Sequence, residues 1–259
     1  MALNLFGEER RSRIVEILRN SGKVTVSDLA KEFNVSEVTI RKDLDVLEKE
    51  GKLLRTHGGA ILPVHSKSEW NFLRKIHQMK EEKKAIAQIA ISIIEDDDTI
   101  ILDSSSTNYH IALEMSKKNW KHLTVVTNNI FIAEKLLGSV NEIIVLGGTI
   151  REHSLSLVGP WTLKFLENIS VDKAFLGTTG FSIEKGFMTP SIIEADVKKA
   201  ILGCSSMRII VTDSTKFMRK AFASFAFPED IDMLITDQNI PNEIEEYLID
   251  KGVEVKKAG

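Results

Sequence analysis

Between Thr99 and Phe217, five short runs of aliphatic and β-branched residues each stop on a small polar or glycine-rich segment. The stops are "DSSSTN" at 103–108, "TNN" at 127–129, "GGTIR" at 147–151, "GTTGF" at 177–181 and "DSTKF" at 213–217. The runs are continuous rather than alternating, so they suit strands buried on both faces. Amphipathic stretches separate most of them. One, at 80–94, places Ile86, Ile89 and Ile93 at helical spacing. Another, at 191–204, sets Ile193, Val197, Ala200 and Ile201 inward and leaves Glu194 and Lys198 as an exposed i,i+4 ion pair. Strands alternating with helices predict an α/β domain with a mainly parallel sheet covered on both sides.

Open sheets of this kind bind ligands beyond the carboxyl ends of their strands. The five stops therefore mark a candidate site. Main-chain amides at helix starts and Ser or Thr hydroxyls cradle phosphate. Arg151 and Lys216 add positive charge, and Asp103 and Asp213 can accept sugar hydroxyls. The set suits a small phosphorylated polyol. The chain has no glycine-rich dinucleotide fingerprint and no P-loop, so no nucleotide cofactor is expected. It has one cysteine, Cys204, and six scattered histidines, which gives neither a disulfide nor zinc spacing. No metal is expected, and no acid and base are spaced for catalysis.

The first sixty residues read differently. Ile14, Ile17 and Leu18 form a helical stripe that ends at Gly22. Thr25, with Asp28 three residues later, can cap a second helix carrying Leu29 and Phe33 inward. Ser36 can cap a third, with Ile40, Leu44 and Leu47 buried and Gly51 as the left-handed C-cap. Lys52 to Thr56, a Gly58-Gly59 turn and Ala60 to Leu62 then suit a β-hairpin. Three helices with a short break before the third, followed by a hairpin, predict a winged helix-turn-helix.

The formal charge is -3, so DNA binding here depends on where charges lie, not on their sum. The third helix exposes Ser36, Glu37, Thr39, Arg41 and Lys42 near its start, where recognition helices read the major groove. Arg41 can bridge guanine O6 and N7. Asp43, Asp45, Glu48 and Glu50 make the far end acidic, and that end should point away from DNA. Arg55 and His57 in the hairpin can contact phosphate or enter the minor groove.

The segment "VSDLAKEFNVSEVTIRKDLDVLEKEGKLLRTHGGA" strongly resembles the N-terminal domain of DeoR-type transcriptional regulators. "LDSSST", "TNN", "LGGTIR", "GTTGF", "GFMTPSIIEADVKKA" and "DSTKF" follow in that family's order, and the resemblance spans almost the whole chain. It implies a second domain similar to ribose-5-phosphate isomerase. It also implies DNA-facing roles for Ser36, Thr39, Arg41 and Lys42. Lys42 stands where the family often has Arg and loses the bidentate fork. The effector pocket implied by the resemblance is lined by Asp103, Ser104, Ser106, Thr107, Asn128, Gly148, Arg151, Lys198, Asp213 and Lys216. Ser105 stands where many relatives have Gly, Asn108 where a second Thr is common, and Asn129 where Ser is common.

The expected organisation is a winged helix-turn-helix over 1–62, a linker over 63–78 and an α/β effector domain over 79–259. The expected function is repression of a carbohydrate-utilisation operon, relieved by an intracellular phosphorylated sugar. The alternative is a sugar-phosphate isomerase-like enzyme carrying a DNA-binding module. No segment approaches the roughly 20 apolar residues that cross a bilayer, so a cytoplasmic protein without a membrane partner is expected. Operator half-sites imply a homodimer or homotetramer. Trp70, Phe72 and Trp161 serve either the subunit contact or the core.

Overall fold

The computed structural model describes residues 7–50, 52–61, 72, 75–152 and 154–259, with the backbone alone for Arg19. Gly51, Leu62, Trp70 and most of the 63–78 segment lie outside the described residues. The chain divides into two compact units, Met1–His77 and Gln78–Gly259.

The first unit packs α1 (Gly7–Ser21), α2 (Val26–Glu32) and α3 (Glu37–Lys49) around one core. Ile14, Leu18, Leu29, Ile40, Leu44 and Leu47 are its buried centre. Each contributes roughly 1.5–3 kcal/mol on leaving water. Gly22, at φ 82, ends α1. Thr25 caps α2 by accepting from the Asp28 amide at 3.1 Å. The Asp28 carboxylate accepts the Thr25 hydroxyl at 2.6 Å.

The hairpin is larger than the sequence suggested. Strands β1 (Lys23–Thr25), β2 (Leu54–Thr56) and β3 (Gly59–Ile61) form an antiparallel sheet in the order β1-β3-β2. The three-residue β1 is too short to show a period. Gly59 is required by the close pairing of β3 with β1, because a Cβ there would fall on the Val24 carbonyl oxygen.

The second unit is built on β4 (Thr99–Leu102), β5 (Thr124–Thr127), β6 (Glu142–Val145), β9 (Val171–Leu176), β12 (Ser205–Val211), β14 (Met233–Asp237) and β15 (Glu254–Ala258). All neighbours pair in parallel, in the order β15-β14-β12-β9-β4-β5-β6. Alternate residues feed opposite faces. Ile100 and Leu102 pack with Ile86, Ala90, Ile111 and Ile132, from α4 (Lys80–Ser92), α5 (Ser106–Met115) and α6 (Ile130–Leu136). Ile101 packs with Val197, Ile201, Ile244 and Leu248, from α8 (Ile192–Gly203) and α9 (Asn242–Asp250). The sheet is thus covered on both faces, as a parallel sheet requires.

The strand order reverses direction between β4 and β9. From β4 the chain builds outward through β5 and β6, and from β9 it builds the other way. That crossing is where such a fold opens a crevice at its carboxyl edge.

Short elements surround this edge. A hairpin joins β7 (Thr149–Arg151) to β8 (Ser156–Val158), and α7 (Pro160–Leu166) follows. A small sheet has the order β10 (Gly180–Ser182), β11 (Gly186–Thr189), β13 (Ala223–Ala226). The buried face of α8 differs from expectation. Ile193 is exposed, while Glu194 and Ala195 are buried.

Candidate functional site

At the reversal point, Asp103 follows β4 and Gly177 follows β9. Asp103 is 1% exposed. Its Oδ2 accepts from the Gly177 amide at 3.1 Å and from the Lys198 ammonium. Its Oδ1 accepts from Asn108 Nδ2 at 2.8 Å. Lys198 Nζ also donates to the Gly177 carbonyl at 2.8 Å and lies 5.1 Å from the centre of the Phe225 ring. Lys198 therefore crosses from α8 to hold the first strand end to the fourth. It is not a surface partner of Glu194.

Glu194, one turn earlier, also faces inward. Its carboxylate accepts from Ser154 Oγ, from Ser156 Oγ at 3.3 Å and from Thr189 Oγ1 at 3.1 Å. Arg151 Nε stands 3.9 Å from it. The sequence held the signal: Glu194, Val197, Lys198 and Ile201 share one helical face, and Val197 and Ile201 are core residues.

The remaining strand ends divide into anchored and unanchored groups. Ser105 caps α5, accepting from the Asn108 amide at 3.1 Å. Its side chain fits because residue 177 is glycine, where a Cβ would overlap Ser105. Ser104 and Ser106 are half-buried, and Thr107 is buried. Asn129 caps α6, accepting from the Phe131 amide at 2.9 Å. Asn128 donates to the Leu157 carbonyl at 3.1 Å. Gly148 is exposed at φ 147, and a Cβ there would meet Thr162 and the Val158 carbonyl.

Asp213 is fully buried. Its Oδ1 accepts from the Thr215 amide at 3.2 Å and from the Thr215 hydroxyl. Lys216 Nζ lies 3.7 Å from its Oδ2. Among the described residues, four buried oxygens at this edge have no hydrogen-bond partner: Asn108 Oδ1, Asn128 Oδ1, Asp213 Oδ2 and Thr236 Oγ1.

In the first unit, Ser36 caps α3, accepting from the Thr39 amide at 3.2 Å, and the two hydroxyls lie 2.9 Å apart. Arg41 Nη2 pairs with Glu37 Oε2 at 3.0 Å, both side chains being more than half exposed. Lys42 and His57 are exposed. Of the four acids at the far end, Asp43 turns inward, to Arg10 at 2.6 Å and Arg11 at 3.4 Å on α1. Asp45 takes Arg55 Nε at 3.2 Å, and Glu48 accepts the Arg55 amide at 2.9 Å. The acidic end of α3 therefore anchors the hairpin.

Residues 10–65 match the DeoR-like helix-turn-helix domain, and residues 78–238 match the DeoR C terminal sensor domain. The chain belongs to the DeoR family of helix-turn-helix transcriptional regulators. This DeoR-type regulator is 34% identical to the HTH-type transcriptional regulator GolR of Listeria innocua, over 98% of the chain and 100% of that protein. It is 34% identical to the putative aga operon transcriptional repressor of Escherichia coli O157:H7, covering 97% and 94%. It is 33% identical to the HTH-type transcriptional regulator GlpR of Haloferax volcanii, covering 95% and 96%. Among solved structures it is similar to a D-ribose-5-phosphate isomerase in complex with phospho-erythronic acid, at 18% identity, TM-score 0.40 and 54% of each chain. It is also similar to eIF2B delta from Chaetomium thermophilum, at 14% identity, TM-score 0.43 and 90% of each chain. Among the described residues no helix is long and apolar enough to cross a membrane.

Proposed function

We propose that this DeoR-type regulator represses a carbohydrate-utilisation operon, and that an intracellular phosphorylated sugar at the carboxyl edge of the parallel sheet releases it from its operator. The observation that carries the reading is the set of buried, unpartnered oxygens on Asn108, Asn128 and Asp213. Buried polar atoms without partners are rare, and these cluster at strand ends where sheets of this order take ligands. A polyol offers hydroxyl donors to those oxygens. Arg151 and Lys216 supply charge for the phosphate. Ser104, Ser106, Thr107 and Gly148 line the same edge, while Asp103 and Lys198 brace it.

In this reading residues 1–62 bind DNA and residues 79–259 bind the effector. Arg41 reads a base once DNA displaces Glu37, and Lys42, Arg55 and His57 hold the backbone. Ser36 and Thr39 set the start of the recognition helix. The protein acts as a homodimer or homotetramer, because half-sites are paired. Trp161, 73% exposed, is the apolar side chain offered to the subunit contact, whereas Phe72 is buried. The protein is not an enzyme in this account: Asp103 and Lys198 neutralise each other, leaving no poised acid and base.

A thermal-shift screen against phosphorylated and unphosphorylated pentoses and hexoses tests the reading, with an isomerisation assay on the same panel. A phosphorylated sugar should stabilise the protein without being turned over. Turnover that disappears in Asp103→Ala would favour the isomerase alternative.

A further inference from the structure

The first turn of α4 turns one lysine, Lys83, onto the same buried face as Ile86 and Ala87. Lys83 is 1% exposed, although a cation near a helix N-terminus opposes the helix dipole. A buried ammonium persists only where it is paired. Lys83 Nζ donates to the Gln78 carbonyl at 2.7 Å and stands 3.8 Å from Asp213 Oδ2. The second distance is too long for a hydrogen bond.

Asp213 Oδ2 is thus flanked by two ammoniums, Lys83 at 3.8 Å and Lys216 at 3.7 Å, and hydrogen-bonds to neither. The two lysines differ in access. The Lys216 side chain is 17% exposed and the Lys83 side chain 1%. An anion arriving from solvent meets Lys216 first.

Gln78 is the first residue of the second unit and follows directly on His77, the last residue of the DNA-binding unit. Met79, next in the chain, is held at φ 52, a conformation side chains rarely adopt. The Gln78 carbonyl is therefore a constrained point where the sensor unit takes up the chain.

We propose that Lys83 is a positioning residue that transmits effector occupancy to the chain segment leading into the DNA-binding unit. This rests on the regulatory function proposed above. An effector phosphate draws Lys216 away from Asp213. The carboxylate then interacts with Lys83 alone and draws its ammonium in to hydrogen-bond distance. Lys83 gives up the Gln78 carbonyl, and the chain at Gln78 and Met79 is released from its constrained path. The steps are electrostatic, and no covalent bond changes.

The test uses the full chain and Lys83→Met, which keeps most of the unbranched stem of the side chain and removes the charge. A panel of ribose 5-phosphate, glucose 6-phosphate, fructose 6-phosphate, fructose 1-phosphate and glycerol 3-phosphate supplies the probe giving wild type the largest thermal shift. Operator affinity is measured with and without that probe at saturation. The ratio of the two is the coupling, for which values of about 5 to 150-fold are typical. The expected result is that Lys83→Met binds both operator and probe within about threefold of wild type, while the ratio falls to about one. A purely structural role would change the affinities and leave their ratio standing. If Lys83→Met does not fold, Lys83→Gln keeps a donor for the Gln78 carbonyl and should lose the ratio in the same way. A variant released as strongly as wild type overturns the relay alone. A wild type that responds to no probe overturns the regulatory reading, and the relay with it.

Discussion

Lys198 donates to Asp103 across 95 positions of sequence, joining α8 to the end of β4 at the point where the sheet reverses direction. The carboxylate is completed by the Gly177 amide and Asn108, so the pair is both buried and fully hydrogen-bonded. Its chemical consequence is that Asp103 cannot offer its oxygens freely to a sugar. With Lys198 it holds the end of β4 to the end of β9.

Removing one partner of such a pair strands the other. Asp103→Ala should therefore cost about 3–5 kcal/mol of stability in the second unit. Urea denaturation followed by tryptophan fluorescence measures it. A loss below about 1 kcal/mol would mean that Lys198 finds solvent easily and the pair is not structural.

Arg41 is held by Glu37 without DNA, in an exposed i,i+4 pair of the kind worth only about 0.3–0.5 kcal/mol. DNA should outcompete it. Arg41→Ala should weaken specific operator binding by about 1–3 kcal/mol and leave sugar-phosphate binding intact. Glu37→Gln should tighten binding to random duplex slightly. Anisotropy titrations over a range of salt concentrations check both, and an unchanged footprint for Arg41→Ala would remove it from the reading face.

Gly59→Ala places a methyl group on the Val24 carbonyl oxygen. The β1–β3 pairing must open, at a cost of about 2 kcal/mol or more. Calorimetry should show the first unit melting earlier while the second is unmoved. DNA binding should fall with it.

Asp232 directly precedes β14, at the amino end of that strand and away from the site. Burial acts to raise its carboxyl, and the hydrogen bonds and charge of Arg208 outweigh this and hold it below the ordinary value. The Arg208 side chain meets it at 2.9 and 3.0 Å, and the Arg208 amide at 2.7 Å. A depressed folded value stabilises the protein above the unfolded value of roughly 3.9, and that stability is lost as pH falls through the folded one. The melting-temperature gap between wild type and Asp232→Asn should therefore be full above pH 5 and shrink below pH 4. The gap should be small, because both side chains are about a third exposed.

Periodicity and strand-end composition carried much of this fold. The stripe Ile40, Leu44, Leu47 and the runs ending at Asp103, Asn128 and Asp213 were legible because burial on a regular element repeats. The strands β1, β7, β8, β10, β11 and β13 have three or four residues, too few for a period to appear. The inward turn of Glu194 and Lys198 was missed because an i,i+4 Glu-Lys pair is commonly a surface feature. Only the placement of Val197 and Ile201 on the same face distinguishes it. Lys83 was hidden for a related reason. Its neighbours Lys80, Glu81, Glu82 and Lys84 make the first turn of α4 read as a solvated surface, and only its spacing from the buried Ile86 and Ala87 places it on the inward face. Asp213, whose carboxylate stands 3.8 Å from its ammonium, lies 130 residues away.

The central claim is that occupancy of the strand-end site by a phosphorylated sugar lowers DNA affinity. The direct measurement is a titration of the sugar-phosphate panel into the complex of the full chain with a labelled operator duplex selected from a random library. The account predicts that one phosphorylated sugar weakens the complex at least about fivefold, and that its unphosphorylated counterpart does not. An operator affinity unchanged by every phosphorylated sugar would contradict it.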